Sequence, residues 1–271
     1  MSTIAEVSQR EVWYESAGTR LYALEVGQLD SPRPIVFMHG GLADHRAAML
    51  YVGPLLAAHR VIIPDLRGAG RSVYAGALSW QQLADDLSAL LTHLGIERAA
   101  IGGSSMGSGV ALRFALSHPQ RTLGLLLTAP VFAGSELGLS PAQAEAMRAM
   151  GEAGQLALER GVEALIPLYG RLPVVVRDRA VDMLRSFDAA SVATTTRLLA
   201  SGNQPFGSSG ELAGLDVPAL IIPGTDAEHP VAVAELYQQH IKRSQLADAA
   251  APDLPIAIAD FCSALPWPTR T

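Results

Sequence analysis

A serine flanked by glycines lies in the middle of this sequence, in the segment Gly103-Ser104-Ser105-Met106-Gly107. An apolar run ends just before it at Ile101, and a helical pattern follows over residues 108–116. A strand, a sharp corner and a helix in this order hold a serine in a strained conformation, in which larger residues two positions away would collide. The corner places the hydroxyl beside the N–H groups of a helix N-terminus, where negative charge is stabilised. We predict that Ser105 is a nucleophile; a plain helix N-cap is the structural alternative, and Ser104 is the fallback nucleophile.

Strand and helix patterns alternate on either side of this serine. Short β-rich runs at residues 11–15 and 21–25 predict an N-terminal hairpin. Continuous apolar runs, typical of buried strands, lie at residues 34–38, 60–64, 99–101, 122–127 and 219–222. Helices are predicted at about residues 43–58, 79–94, 231–241 and 256–265. This alternation predicts an α/β fold with a doubly wound, mostly parallel sheet.

The alternation stops between residues 134 and 215. This stretch contains no convincing buried strand but several helical patterns, the first of which starts at Ser140 with a proline in the first helical position. We interpret it as a helical cap inserted over the C-terminal edge of the sheet; ordinary connecting helices packed elsewhere are the alternative. The chain is then divided into an α/β core of residues 1–133 and 216–271 and a helical cap of residues 134–215.

Composition limits the class of protein and its partners. The 271 residues are 49% hydrophobic and 17% charged, which suits one large folded domain with an insertion. A formal charge of −6 argues against nucleic acid and anionic membranes as partners. Cys262 is the only cysteine, so neither an internal disulfide nor a cysteine metal cluster is expected. Residues 1–6 lack the basic and apolar blocks of a signal peptide, so we expect a cytoplasmic protein that binds a small-molecule substrate.

With this strand order, four segments make the chain resemble the α/β-hydrolase superfamily: the triplet His39-Gly40-Gly41 and residues 64–72, 103–107 and 217–226. The resemblance implies a helical cap for residues 134–215. It also implies an oxyanion hole made by the backbone N–H groups of Gly41 and Met106, and a triad acid at Asp226. The structural alternatives are a plain strand-ending turn at Gly41 and a helix-capping aspartate at position 226. The fold does not fix the substrate.

The sequence departs from the family at the histidine. The family normally supplies it after the last strand, here predicted at residues 244–250, but no histidine follows His240. His229, three residues after Asp226 at the same sheet edge, is our candidate for the base. His45 is an alternative that would approach from the opposite side, and His240 is interpreted as structural because it lies late in a helix. The absence of any catalytic histidine stays open at this stage.

These residues support two main hypotheses. The first is a serine-dependent hydrolase of a small ester, lactone or related acyl compound that works through an acyl-enzyme, with no cofactor or metal implied. Its pocket is expected to be lined from the cap, and the alternative for most of the candidate residues is the core of the cap itself; the candidates are Leu139, Met147, Met150, Leu168, Tyr169, Met183, Phe187 and Phe206. The second is a non-hydrolytic protein of the same fold, a lyase, cyclase or ligand-binding protein, because the usual histidine is absent. A third hypothesis, an enzyme that acts on haloalkanes or epoxides, is weaker, because such enzymes typically have a carboxylate nucleophile where this chain has Ser105. The sequence leaves open whether the chain forms a homodimer.

Overall fold

The computed structural model describes residues 7–170 and 174–268, and within them eight strands form one sheet. The strands are β1 (Gln9–Ser16), β2 (Thr19–Gly27), β3 (Pro34–Met38), β4 (Arg60–Pro64), β5 (Ala99–Ser104), β6 (Thr122–Thr128), β7 (Ala219–Ile222) and β8 (Ser244–Leu246). Their spatial order is β1-β2-β4-β3-β5-β6-β7-β8. β2 is antiparallel to both β1 and β4, and every other pair is parallel. The predicted α/β class and N-terminal hairpin are confirmed. Residues 1–6, on which the signal-peptide argument depends, lie outside the described residues.

Helices connect the strands and cover both faces of the sheet. They are α1 (His45–Val52), α2 (Trp80–His93), α3 (Met106–Ser117), α4 (Pro141–Arg160), α5 (Val174–Arg185), α6 (Ala189–Ala200), α7 (Ser209–Leu212), α8 (Val231–His240) and α9 (Leu254–Ser263). The helix predicted for residues 43–58 is shorter, because a 3₁₀ turn that contains Pro54 follows α1. The last strand also ends earlier than predicted, at Leu246. No described helix is both long and apolar enough to cross a membrane.

The sheet separates two apolar cores, as a doubly wound arrangement requires. Successive side chains of a strand point to opposite faces. In β3, Val36 and Met38 join the core under α2, α3 and α8, whereas Ile35 and Phe37 join the core under α1 and α9. All five residues of β3 are buried, and so are all six of β5. These two buried central strands, β3 and β5, therefore position the loops at their carboxyl ends, from which the candidate site is built.

Four helices, α4 to α7, lie between β6 and β7 in the chain. The first of them starts with a capping box in which Ser140 and Gln143 bond each other's backbone N–H groups. α4 and α6 pack closely, since a Cβ on Gly154 would lie 1.9 Å from the Thr196 hydroxyl. The division of the chain into a core and a cap at residues 134 and 215 stays a prediction.

Candidate active site

Ser105 lies at the corner between β5 and α3 in a strained backbone conformation. Its φ is 54° and its ψ is −114°, a region that L-residues seldom adopt. The two flanking glycines are required by close approach: a Cβ on Gly103 would lie 2.4 Å from the carbonyl carbon of Gly107. A Cβ on Gly107 would lie 2.5 Å from the Met38 oxygen in the neighbouring strand. The spacing seen in the sequence therefore has a direct steric cause.

The structure brings Ser105 together with His229 and Asp226. The Nε2 atom of His229 lies 2.9 Å from the Ser105 Oγ, and its Nδ1 atom lies 2.8 Å from an Asp226 oxygen. The two hydrogen bonds use both ring nitrogens, so Nδ1–H donating to the carboxylate leaves Nε2 free to accept the serine proton. The His229 side chain is 18% exposed. This arrangement can deprotonate the hydroxyl as it attacks a carbonyl.

A short loop after β7 sets the position of His229. One Asp226 oxygen accepts hydrogen bonds from the backbone N–H groups of both Glu228 and His229, each at 2.9 Å. A Cβ on Gly224 would lie 2.1 Å from the Cβ of His229, so the loop folds tightly on itself. From α4, the Gln143 amide donates to the Glu228 carbonyl at 3.2 Å. The acid and the imidazole thus belong to one turn that a neighbouring helix braces.

The electrostatics of the turn keep the carboxylate ionised. Partial burial acts to raise the pKa of Asp226, but the hydrogen bond and charge of His229 act in the opposite direction. The backbone N–H groups of Glu228 and His229 add to this effect, and the net pKa of Asp226 is lowered. An ionised Asp226 is the form that stabilises a protonated imidazole.

The backbone N–H groups of Gly41 and Met106 were predicted to form an oxyanion hole. Gly41 and Met106 both line the cavity at Ser105. Within residues 7–170 and 174–268, neither N–H donates a hydrogen bond. The loop that carries Gly41 is braced by His39, whose Nε2 accepts the N–H of Leu66 at 3.0 Å. Burial lowers the pKa of His39, which favours the neutral ring that this contact needs.

The other two candidate histidines lie elsewhere. His45 donates from Nδ1 to Asp65 at 2.8 Å, and its ring packs on Tyr22 with the centroids 5.2 Å apart. His240 bonds the Leu236 carbonyl at 2.9 Å inside α8, in agreement with a structural role. The non-hydrolytic alternative depends on the absence of the usual histidine after the last strand, whereas the structure brings His229, from the loop after β7, into hydrogen-bond contact with Ser105.

One group of side chains has the composition of a metal site. The ligand atoms of Asp44, His45 and Asp65 lie within 4.8 Å of one another. Each carboxylate already has partners: Asp44 is paired with the Arg46 guanidinium, and Asp65 accepts from His45 and from the Arg71 backbone. The Arg46 guanidinium already provides the positive charge beside Asp44 that a bound metal ion would otherwise provide. These residues therefore fit a hydrogen-bond network better than an ion.

The cavity at Ser105 has a volume of about 720 Å³. Of the eight residues predicted to line it, only Met147 and Met150 do so. The others pack within or beside the apolar cores or, like Leu168, lie exposed. Sequence reasoning missed lining residues that four separate elements contribute, namely Tyr51, Phe132, Leu199, Leu254 and Ile258. No periodic pattern marks such a set, because each element supplies only one or two members.

Comparisons with known proteins agree with this architecture. A family model described as alpha/beta hydrolase fold matches residues 33–159. A "Probable proline iminopeptidase" of Streptomyces coelicolor is 32% identical over 183 residues, which cover 59% of this chain and 54% of that protein. The chain spans about a third to a half of the length of the curated relatives it matches.

Solved structures show the same fold along most of the chain. A thermophilic esterase from Thermogutta terrifontis is 27% identical, with a TM-score of 0.70 over 88% of each chain. An enol-lactonase from Burkholderia xenovorans LB400 is 21% identical, with a TM-score of 0.74 over 93% of this chain and 100% of that one. At this identity the second likeness concerns the fold alone.

Proposed function

Because this chain belongs to the α/β-hydrolase superfamily, we propose that it is a serine hydrolase that cleaves a small ester, lactone or related acyl compound. The observation that carries the proposal is the hydrogen-bonded series of Ser105, His229 and Asp226 at the wall of a large cavity. The similarity to an esterase supports the choice of ester chemistry. The curated relative named as a proline iminopeptidase supports acyl transfer more generally.

The proposed reaction starts with attack of the Ser105 oxygen on the substrate carbonyl. The serine proton passes to Nε2 of His229 while Asp226 holds the Nδ1–H and stabilises the imidazolium. The carbonyl oxygen becomes an oxyanion that accepts hydrogen bonds from the N–H groups of Gly41 and Met106. When the carbonyl re-forms, the bond to the alcohol oxygen breaks and His229 returns the proton to that oxygen. A water molecule, deprotonated by His229, then attacks the acyl carbonyl. The bond to the Ser105 Oγ breaks, His229 returns the proton to that oxygen, and the acyl group leaves as a carboxylic acid.

The position of His229, the proposed base, follows from the turn that contains both Asp226 and His229. Asp226 and His229 are three residues apart, and the aspartate bonds both the backbone and the ring of the histidine. The imidazole is therefore oriented by its own loop before substrate binds, which lowers the entropy lost in reaching the reactive geometry. In this proposal the histidine acts from the loop after β7, not from the segment after β8.

The proposal is tested by labelling with a fluorophosphonate probe and by hydrolysis of 4-nitrophenyl butyrate. Wild-type protein is expected to be labelled at Ser105, as located by mass spectrometry, and to release nitrophenolate. Ser105→Ala is expected to abolish both, whereas the matched variant of the neighbouring serine, Ser104→Ala, is expected to retain the labelling. Labelling of Ser104 alone, or hydrolysis that survives Ser105→Ala, would contradict the proposal.

A further inference from the structure

Apolar side chains from elements on both faces of the sheet line the cavity at Ser105. One wall comes from α1 and α9 and contains Tyr51, Leu254 and Ile258. The other contains Phe132, after β6, and Met147 of α4. The first wall opens to solvent, since Leu50 in α1 lines the cavity and its side chain is 76% exposed. A substrate bound in this cavity would therefore contact mostly hydrocarbon.

The charges around this cavity are of one sign. Within the described residues, no lysine or arginine lines it. The charged and titratable residues that line it are Asp226, Glu228, His39 and His229. The Glu228 side chain is exposed. A negative substrate group would meet two carboxylates and no fixed cation.

The arginine of α1, Arg46, lines a different cavity. Arg46 is paired with Asp44 and bonds the Ser186 hydroxyl at 2.6 Å. It lines a second cavity of about 350 Å³, together with Arg71. The residues of α1 that line the cavity at Ser105 are instead uncharged, and they include Ala47, Leu50 and Tyr51. One helix thus separates a cation-bearing cavity from a cation-free one.

On the basis of the proposed hydrolase function, we infer that the substrate is an uncharged ester or lactone with apolar groups, and that acyl groups bearing a carboxylate are poor substrates. A carboxylate that enters this cavity loses hydration without gaining a cation. It is also repelled by the charges of Asp226 and Glu228. An apolar acyl chain of the same length gains from leaving water.

The test compares three esters with equal acyl-chain lengths: 4-nitrophenyl pentanoate, mono-4-nitrophenyl glutarate and the methyl ester of the latter. The spontaneous cleavage of each is subtracted with Ser105→Ala. We expect kcat/KM for the pentanoate to exceed that for the anionic glutarate by at least about tenfold. The neutral methyl ester is expected to lie within about threefold of the pentanoate, which separates the effect of charge from that of length.

A cation placed at the mouth of the cavity sharpens the test. Leu50→Arg adds a positive charge at an exposed position, so the fold is retained, and it is expected to narrow the neutral-to-anionic ratio about three- to tenfold. Leu137→Arg is the matched control, because Leu137 is 60% exposed and does not line the cavity. It is expected to leave the ratio unchanged.

The outcomes separate the two claims. If wild-type protein cleaves the anionic and neutral esters equally well and Ser105→Ala cleaves neither, the inference is overturned while the hydrolase function stands. A ratio that Leu50→Arg leaves unaltered overturns the assignment to charge. If none of the three esters is cleaved faster than by Ser105→Ala, the proposed function fails and this inference fails with it.

Discussion

Within the described residues, two histidine–aspartate pairs share the same hydrogen bond from the Nδ1 atom of the ring to the carboxylate. His229 and Asp226 are joined by a 2.8 Å hydrogen bond from Nδ1, and so are His45 and Asp65. They differ in burial, since the Asp226 side chain is 61% exposed and that of Asp65 is fully buried. They differ also at the second ring nitrogen. That of His229 meets Ser105, whereas that of His45 forms no hydrogen bond among the residues that the structure describes.

The buried pair holds a loop in place. Asp65 accepts hydrogen bonds from the backbone and ring of His45 and from the N–H of Arg71. Gly70 lies against it at a φ of 50°, and a Cβ there would be 2.3 Å from an Asp65 oxygen. Burial acts to raise the pKa of Asp65, but the hydrogen bond and charge of His45, together with the charge of His39 and the N–H of Arg71, outweigh it, and the net pKa is lowered. A histidine–aspartate pair is therefore not in itself a sign of catalysis. Its role depends on the group that the other ring nitrogen, Nε2, contacts.

The largest expected contrast is between two histidine substitutions. His229→Ala is expected to lower kcat for 4-nitrophenyl butyrate by about 10⁴-fold or more, because the serine loses its base. His45→Ala is expected to keep kcat within about threefold but to lower the free energy of unfolding by about 1–3 kcal/mol, since a buried carboxylate loses a partner. Steady-state kinetics and urea unfolding measure the two effects. A loss of kcat in His45→Ala comparable to that in His229→Ala would remove the distinction between the pairs.

The same contrast is expected, on a smaller scale, for the carboxylates. Asp226→Asn is expected to reduce kcat by about 10²–10⁴-fold, because an amide orients the imidazole poorly and does not stabilise its charge. Asp65→Asn is expected to reduce kcat less than about tenfold, with a loss of about 2–4 kcal/mol in unfolding free energy. Both quantities are measured on the same preparations. Unaltered stability in Asp65→Asn would contradict the structural role of the buried pair.

The smallest effect concerns stability in acid. The folded-state pKa of Asp65 lies below its ordinary value of 3.8, so its contribution is fully present above that value. The contribution is lost as the pH falls from 3.8 through the lowered pKa. Calorimetric Tm values between pH 3 and 7 are expected to fall less steeply at the acid end in Asp65→Asn than in the wild type. Asp226→Asn is expected to change this slope less, because solvent screens its exposed carboxylate. An equal change in the slope of Tm against pH in both variants would contradict the difference in burial between the two pairs.

The fold was predictable from the sequence because its signals are local. Buried strands such as β3 are continuous apolar runs, and α2 and α4 begin at serines that cap them. The helix predicted over residues 43–58 is shorter in the structure, since α1 ends at Val52, before Pro54, and no local signal marked that end. The cavity lining could not be predicted, since its members come from distant elements and apolar residues of a cap also form its own core.

The sequence by itself determined the strained serine corner, because Gly103 and Gly107 leave room for backbone that side chains would fill. It also determined that Asp226 and His229 lie within one turn, since only three positions separate them. Tertiary structure alone decided which imidazole meets Ser105, which is 124 positions from His229 in the chain. That meeting depends on the packing of β7 beside β6 and on the brace from Gln143 in α4, both of which are long-range contacts. Short-range spacing cannot encode contacts of this kind, because they form only when separate elements pack together.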